Sequence, residues 1–407
     1  MRIAFIVGTF PGLSQTFVLN QITGLLDMGH EVEIFAECSN DKKRHPEVEK
    51  YRLMDKVHCI PKNKVRRVLK APYIVAKSLG KDPIKALKSL NLFKYGIYTI
   101  CLKLPYTIAE FPNKKFDIIQ CHFGHNGNVG AILKEMGFEG KLVTMFHGYG
   151  IRLGEKKGKN FYSRLFKESD CILAISDYNK KKLVEFGANP KKMLFHPVGI
   201  DIGKFPFKWK APSRKPNTSI ILSVGRLVEE KGFEYGIRAV GELVKRNPGT
   251  GIEYRIVGGG KLESRLRKLV KELGLEKVVR FLGPMNQEEV SREMQKAHIF
   301  MLPSTAESLP VVLMEAQCTG LPIVATSVGS IAEEVADSKS GFLVAAENAG
   351  ALEEKLNYLI KHPEDWPQMG KIGHELVREH YDINKLNPQL AKIYETLLLE
   401  EGNKLTL

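Results

Sequence analysis

Short apolar runs alternate with longer amphipathic segments along most of the chain. In the first half, runs at 2–7, 31–36, 118–122, 142–147, 171–175 and 194–197 read as buried strands. Between them, segments such as 15–28, 127–136 and 179–186 carry helical spacing. The stretch 199–218, GIDIGKFPFKWKAPSRKPNT, is rich in Pro and Lys, lacks periodicity and reads as an interdomain linker. The alternation then restarts, with strands at 219–224, 253–257, 278–282, 299–302 and 322–326 and helices at 235–246, 262–273, 287–296, 311–317 and 331–336. The tail 351–401 reads as two or three helices, broken at KHPEDWP and near Pro388. This pattern predicts an α/β protein with parallel sheets covered on both faces, one doubly wound domain in each half. Ligands bind such sheets at the carboxyl ends of the strands, and two facing domains would make a cleft. The expected division is 1–198, linker 199–218, 219–370, and terminal helices over 371–407 that cross back to the first domain.

Composition adds constraints. A chain of 407 residues has material for two or three domains. No apolar run reaches the roughly 18 residues of a membrane span. The amino terminus, MRIAFIVGTF, has a short apolar part at 3–7 followed at once by Gly and reads as a first strand rather than a leader. Six cysteines at 38, 59, 101, 121, 171 and 318 show no paired or metal-like spacing, which fits a reducing cytoplasm. Net charge is +15, and it is unevenly placed. Residues 1–208 carry 35 Lys/Arg against 19 Asp/Glu, whereas 209–407 carry 26 against 27. Within the first half, 61–115 holds 13 basic residues against Asp82 and Glu110. One half is built to meet something anionic.

Four stretches of the second half carry candidate chemistry. SVGRLVEEKG, 223–232, follows a strand and would put Arg226 and Lys231 at its carboxyl end, suiting a diphosphate; the bland alternative is a solvated basic loop. VGGGKLESRL, 257–266, is a glycine-rich turn between a strand and a helix; it is neither a dinucleotide fingerprint nor a P-loop, and a tight turn accounts for it alone. RFLGPMN, 280–286, ends another strand where backbone could meet a base. In ESLPVVLMEAQCTGLPIVAT, 307–326, Glu307 stands just before a helix start and Glu315 two turns in. The free N–H groups of that start favour an anion, and two acids in an apolar segment need partners such as sugar hydroxyls. In the first half, the loop GTFPGLSQTF, 8–17, places Gly12 and Ser14 where a phosphate or substrate could sit. CHFGHNG and FHGYG bring His122, His125 and His147 to strand ends. No carboxylate or Cys completes a zinc set at usual spacing; His147 suits a direct polar contact, and His125 reads as a core or surface residue.

Taken together, GRLVEEKG, IVGGG, FLG, the 307–326 stretch, VGSIAEEV and GFLV resemble the C-terminal domain of family 4 glycosyltransferases, which have the GT-B fold of two Rossmann-like domains. FPGLSQTFVLNQI, CHFG, FHGY, AISDYNKKKL and HPVGID resemble the branch of colanic acid and other exopolysaccharide or lipopolysaccharide enzymes. The resemblance spans nearly the whole chain. It implies retaining, metal-independent transfer of a hexose from a nucleotide-sugar, a UDP-sugar before GDP-mannose, to a glycan or lipid-linked acceptor, with no cofactor. It further implies that Gly225, Arg226 and Lys231 hold the diphosphate, Glu307 lies by the transferred sugar and Glu315 binds the ribose. Backbone at 309–311, Leu309 and Val311 in particular, meets phosphate and sugar, Met285 lines the base and Gly258 abuts the donor. His147 contacts the donor sugar, while Gly12, with Ser14 and His122, faces diphosphate and acceptor. His147, Glu307, Arg226 and Lys231 are thus the expected catalytic set.

The chain departs from the family pattern at Ser308-Leu309-Pro310, where many members have Gly-Phe-Gly, at Gln15, where Glu is frequent, and at Gly150, where an acid is frequent. Pro310 has no N–H, so a phosphate contact falls to Leu309 or Val311. Residues 62–103 interleave lysines with Val, Leu, Ile, Phe and Tyr. That suits peripheral binding to anionic lipid at the inner membrane face; a solvated helical face over the core is the alternative. Nucleic acid is not an expected partner, since no known module is visible. Two other function classes fit the fold: a nucleotide-sugar epimerase, and a non-catalytic nucleotide-sugar-binding protein.

Overall fold

The structure is a computed structural model that describes residues 1–12, 15–38, 45–111, 115–208 and 218–399. The chain forms two compact units, Met1–His196 together with the chain from Asn387 on, and Pro197–Leu386.

The first unit is built on a seven-stranded parallel sheet. Its strands are β1 (Arg2–Phe10), β2 (Glu31–Cys38), β3 (Val57–Ile60), β4 (Ile118–His122), β5 (Lys141–Phe146), β6 (Cys171–Ala174) and β7 (Met193–Phe195), in the order β3-β2-β1-β4-β5-β6-β7. Strands buried on both faces need no polar alternation, and β4, β5 and β6 are nearly continuous apolar runs for that reason. The core around them holds Phe35, Phe111, Phe116, Phe146 and Tyr162. The second unit has six parallel strands: β8 (Thr218–Val224), β9 (Gly251–Val257), β10 (Val279–Gly283), β11 (Ile299–Leu302), β12 (Ile323–Thr326) and β13 (Gly341–Val344). Their order is β10-β9-β8-β11-β12-β13. Strand order reverses beside β1 in one sheet and beside β8 in the other. Those reversals open the space at the carboxyl ends where ligands of this architecture lie.

Periodicity locates eleven of the thirteen strands, all but β3 and β13. Both are edge strands that are only partly buried along their length, so they carry no continuous buried run. The expected break near Pro388 does not occur. Helix Ile383–Leu399 runs through that proline. Leu390 and Tyr394 are fully buried, the Tyr394 hydroxyl donates to Gln120 and Asn387 Nδ2 donates to the Asn20 carbonyl. This packing outweighs the one backbone bond proline removes. The chain breaks instead at Tyr381–Asp382, where Asp382 accepts from the Asn384 N–H and pairs with Ile200. The cysteine expectation also needs correction. Cys38 and Cys59 are joined as a disulfide, their Cα atoms 5.4 Å apart. The β2–β3 register sets Ala36 opposite Cys59, so a separation of 21 residues becomes one sheet neighbour. The other four cysteines are free.

The described part of the expected linker packs on the second unit. The Lys204 carbonyl accepts from Ser291, and the Phe205 carbonyl accepts from Cys318. Residues 209–217 lie outside the described residues.

Turns after β8, β9 and β10 zip together through their backbones: Gly225 N–H donates to Val257, Leu227 N–H to Gly259 and Gly258 N–H to Gly283. Gly258 sits at φ +139°, and a Cβ there would lie 1.8 Å from the Gly225 carbonyl oxygen. Gly258→Ala is therefore expected to destabilise the second unit by more than about 2 kcal/mol. A lowered midpoint in thermal unfolding, with donor affinity lost in parallel, is the measurement that checks it.

Candidate active site

In the second unit the carboxyl ends of β8 and β11 are neighbours. Past β8, the turn Glu229–Lys231 leads into helix Phe233–Arg246 through Gly232, which is left-handed at φ +58°. Its missing Cβ lets the Pro303 carbonyl approach, and Thr305 N–H donates to the Glu230 carbonyl. These contacts bring Lys231 to Glu307. Lys231 Nζ is paired with Glu307 Oε1, and the Ser304 hydroxyl donates to the same oxygen at 2.7 Å. Both charged side chains are largely buried, Lys231 with 17% of its side chain exposed and Glu307 with 11%. The lysine's methylenes lie along Gly225. Arg226 is exposed and, among the described residues, forms no ion pair.

Four residues after Glu307, helix Val311–Cys318 begins with Pro310 as its N-cap. An N-cap N–H takes no part in the helix ladder, so proline removes no helical donor there. The first helical bond runs from Leu313 N–H to the Pro310 carbonyl, which leaves the N–H groups of Val311 and Val312 ahead of it. Leu309 is buried beside them and Val311 half-buried. Glu315 is the fifth residue of this helix, little more than one turn in rather than two. It is buried, and Gln287 Nε2 donates to it at 3.3 Å. Gln287 opens helix Gln287–Lys296, whose Asn286–Glu289 capping box fixes the entry angle, and the half-buried Met285 precedes it. The residues read from four separate stretches thus converge on one sheet end. Gly258 belongs to that end through its contact with Gly225.

In the first unit, His122 ends β4 and His147 follows β5. Their rings stack at 5.3 Å, with His122 Nδ1 and His147 Nε2 3.0 Å apart. His122 Nε2 is buried without a partner. The arrangement that leaves no buried N–H orphaned has His122 Nδ1–H donating to His147 Nε2, which puts the His147 proton on Nδ1. Phe17 and Phe123 pack on His147 at 4.5 and 4.6 Å. Burial, reinforced for His147 by the neighbouring ring, holds His122 at a pKa of about 3 and His147 well below its usual range. Both are neutral at pH 7. His125 also sits here, edge-on to Tyr149, held at about 4 chiefly by burial. Gly12 accepts the Gln15 N–H in the β1 turn. Ser14 lies outside the described residues.

The model for glycosyl transferases group 1 matches residues 206–375, and that for glycosyltransferase family 4 matches 14–204. WcaL of Salmonella typhimurium, a glycosyltransferase named for colanic acid biosynthesis, is 34% identical over 98% of this chain and 100% of its own. The amylovoran biosynthesis glycosyltransferase AmsK of Erwinia amylovora is likewise 34% identical, over 98% and 100%. The chain belongs to this glycosyltransferase family. Among solved structures, sucrose-phosphate synthase of Thermosynechococcus elongatus shares the fold with a TM-score of 0.71 at 21% identity, covering 98% and 99%. HepE of Anabaena, solved with UDP-glucose, does so at 0.71 and 16%, covering 97% and 100%. Both units are Rossmann-like domains of the GT-B class.

Three side chains at the glycosyltransferase's second-unit site escape sequence reasoning. Gln287 and Ser304 are ordinary polar residues whose partners lie 28 and 3 positions away. Glu334 ends helix Ile331–Glu334, fully buried, with both carboxyl oxygens unpartnered. Burial raises its pKa well above the carboxylate range; Glu307 and Glu333 add to this and Lys231 opposes it. It is an unpartnered acid, biased toward its neutral form, beside the Lys231–Glu307 pair. The hydroxyls of Ser308 and Ser330 are also buried there without partners. Acidic residues in an exposed-looking run, VGSIAEEV, give no sign of this.

Burial pushes Glu315 up to about 7, with the Gln287 bond only partly opposing. An acid whose folded pKa lies above its unfolded value of about 4.5 binds more protons when folded. Its neutral form is accommodated below pH 4.5, and stability falls as pH rises from there through 7. Glu315→Gln is therefore expected to raise stability at pH 8 by on the order of 3 kcal/mol, with the gain vanishing near pH 4. Paired thermal unfolding of variant and parent across that range checks the sign.

Proposed function

We propose that the protein transfers a hexose, with retention, from a nucleotide-sugar to a hydroxyl of a glycan or lipid-linked acceptor in cell-surface polysaccharide synthesis. The observation that carries this reading is the Lys231–Glu307 pair at the β8–β11 reversal, beside the N–H groups that open the 311–318 helix. The donor's diphosphate lies against Arg226, Lys231 and those N–H groups. As the bond from C1 to the diphosphate oxygen breaks, negative charge builds on the departing group, and fixed cations stabilise it without reorganising. Two cations supply what a metal would otherwise supply, which supports a metal-independent reaction. Lys231 must then leave Glu307, and Glu307 is freed to accept from the sugar's hydroxyls. Glu315 and Gln287 accept and donate to the ribose, with Met285 against the base. His147 is the first unit's candidate for contact with the sugar, and its neutral imidazole would serve as a hydrogen-bond partner and not as a cation. A UDP-sugar is the favoured donor, in keeping with the UDP-glucose bound by HepE, and GDP-mannose is second. The names of WcaL and AmsK support an exopolysaccharide acceptor, worked on at the cytoplasmic face of the membrane.

Lys231→Ala and Glu307→Gln are each expected to lower kcat/KM for transfer by at least about 100-fold while circular dichroism stays unchanged. Turnover like that of the parent in either variant would refute both roles. Transfer is expected to persist in excess EDTA; a loss restored by a divalent ion would overturn metal independence. Incubation with donor alone separates this reaction from epimerisation, which would convert the sugar without any acceptor.

A further inference from the structure

Consecutive helices of the first unit carry apolar side chains outward. On helix Lys64–Lys81 the buried positions are Arg67, Ile74 and Ser78, which share one face at helical spacing. Val65, Val68, Leu69 and Tyr73 lie on the opposite face, between 62% and 76% exposed. Helix Pro83–Ser89 buries Ala86 and Ser89 and exposes Ile84 and Leu87. The two single turns that follow, Leu92–Tyr95 and Ile97–Ile100, bury Tyr95 and Thr99 and expose Phe93, Ile97 and Ile100. Phe93 is completely exposed. Of the 18 exposed large hydrophobic residues among those described, 12 fall between positions 65 and 100. Exposed apolar residues are ordinarily scattered singly, so this concentration marks a contact surface.

The inner face of these helices is already committed. Arg67 is buried and donates to the carbonyls of Pro61 and Cys101 and to Glu37, while Tyr106 donates to its carbonyl. Ile74 packs with Ile60, Tyr106 and Ala109. The first helix thus turns a charge inward and a hydrophobic stripe outward, the reverse of a helix evolved to face water. Around the stripe, Lys62, Lys64, Arg66, Lys70 and Lys88 are exposed and, among the described residues, form no ion pair.

We propose that this face docks on an anionic lipid bilayer, with the 65–73 stripe and Phe93 entering the headgroup–acyl boundary and the surrounding lysines and Arg66 meeting lipid phosphates. The occupant has to be apolar inside and anionic at its surface, and such a bilayer is both. A second copy of the chain is disfavoured, because it would oppose two faces that each carry the exposed cations Lys62, Lys64, Arg66, Lys70 and Lys88. No helix among the described residues is long and apolar enough to cross a membrane, so these segments lie in the interface plane. The surface gives a lipid-linked acceptor a place to be met. Its test reads lipid binding alone, so this inference and the transfer reaction can fail separately.

The test is flotation of the full-length protein with phosphatidylcholine vesicles and with the same vesicles carrying phosphatidylglycerol. Recovery is expected to favour the anionic vesicles by at least about tenfold at low salt and to fall as salt rises. Leu69→Ser with Phe93→Ser should cut that binding at least about tenfold with an unchanged melting temperature, since both side chains are exposed. Neutralising Lys64 and Lys70 to Gln should weaken it by about fivefold per lysine. A Phe93→Trp reporter should shift its emission to the blue on anionic vesicles only. Equal recovery on both vesicle types, or full binding by the Ser variants, would overturn the proposal. So would a dimer in solution that Phe93→Ser dissociates without any vesicle binding.

Discussion

Parallel strands force the chemistry of this protein to the places where strand order reverses. A crossover that leaves β8 toward β9 and another that returns on its far side to β11 must part at the carboxyl end, and a gap opens there that no helix fills. Lys231 and Glu307, 76 residues apart in sequence, are held across that gap in the second unit. The turn chemistry around them exists to keep them there. Gly232 admits the Pro303 carbonyl, and the Glu230 carbonyl receives the Thr305 N–H. With so little side chain exposed, each charge requires the other, because an unpaired ion in that position would be costly. A donor that carries both a diphosphate and hydroxyl groups can replace each partner in kind.

At the remaining titratable groups of the two sites, burial works against charge. Glu315 and Glu334 have pKa values raised by desolvation, and His122 and His147 have theirs lowered by it. The same physical effect acts in opposite directions because burial always disfavours the charged form. What remains is a set of buried donors and acceptors of little charge, with Lys231 and the exposed Arg226 as the cations of the second-unit site. The buried polar groups that lack partners of their own, Glu334 and the hydroxyls of Ser308 and Ser330, favour a ligand that supplies hydrogen bonds, since one without them would leave these groups unpaired.

Charge elsewhere in the molecule is arranged by a different rule. In the first unit a buried Arg67 holds helix Lys64–Lys81 through three backbone or carboxylate partners, leaving that helix's outer face free to be apolar. Guanidinium suits this task because its donors are fixed in a plane and reach several acceptors at once. The basic excess of the first half is therefore split, part of it structural and internal at Arg67 and part left exposed beside the apolar stripe.

Much of this is legible in the chain alone. The period of the apolar positions locates the long strands and the α/β alternation, since an element's own face is written within a few residues of itself. The motifs around Arg226, Lys231, Glu307 and Glu315 are legible as strand-end and helix-start chemistry for the same reason. Partnerships are not. That Lys231 pairs with Glu307, that Gln287 reaches Glu315 and that Cys38 meets Cys59 follow from strand order and register, which join positions tens of residues apart. At Pro388 local propensity favours a break, and burial of Leu390 and Tyr394 overrides it. The burial of Glu334 is not legible in the sequence, because residue type says nothing of which helix face is covered. Sequence determined the elements and the residues offered for chemistry. Tertiary structure alone decided which of them meet, which are buried, and hence which carry charge, because desolvation and pairing are properties of neighbours that only the folded sheet assembles.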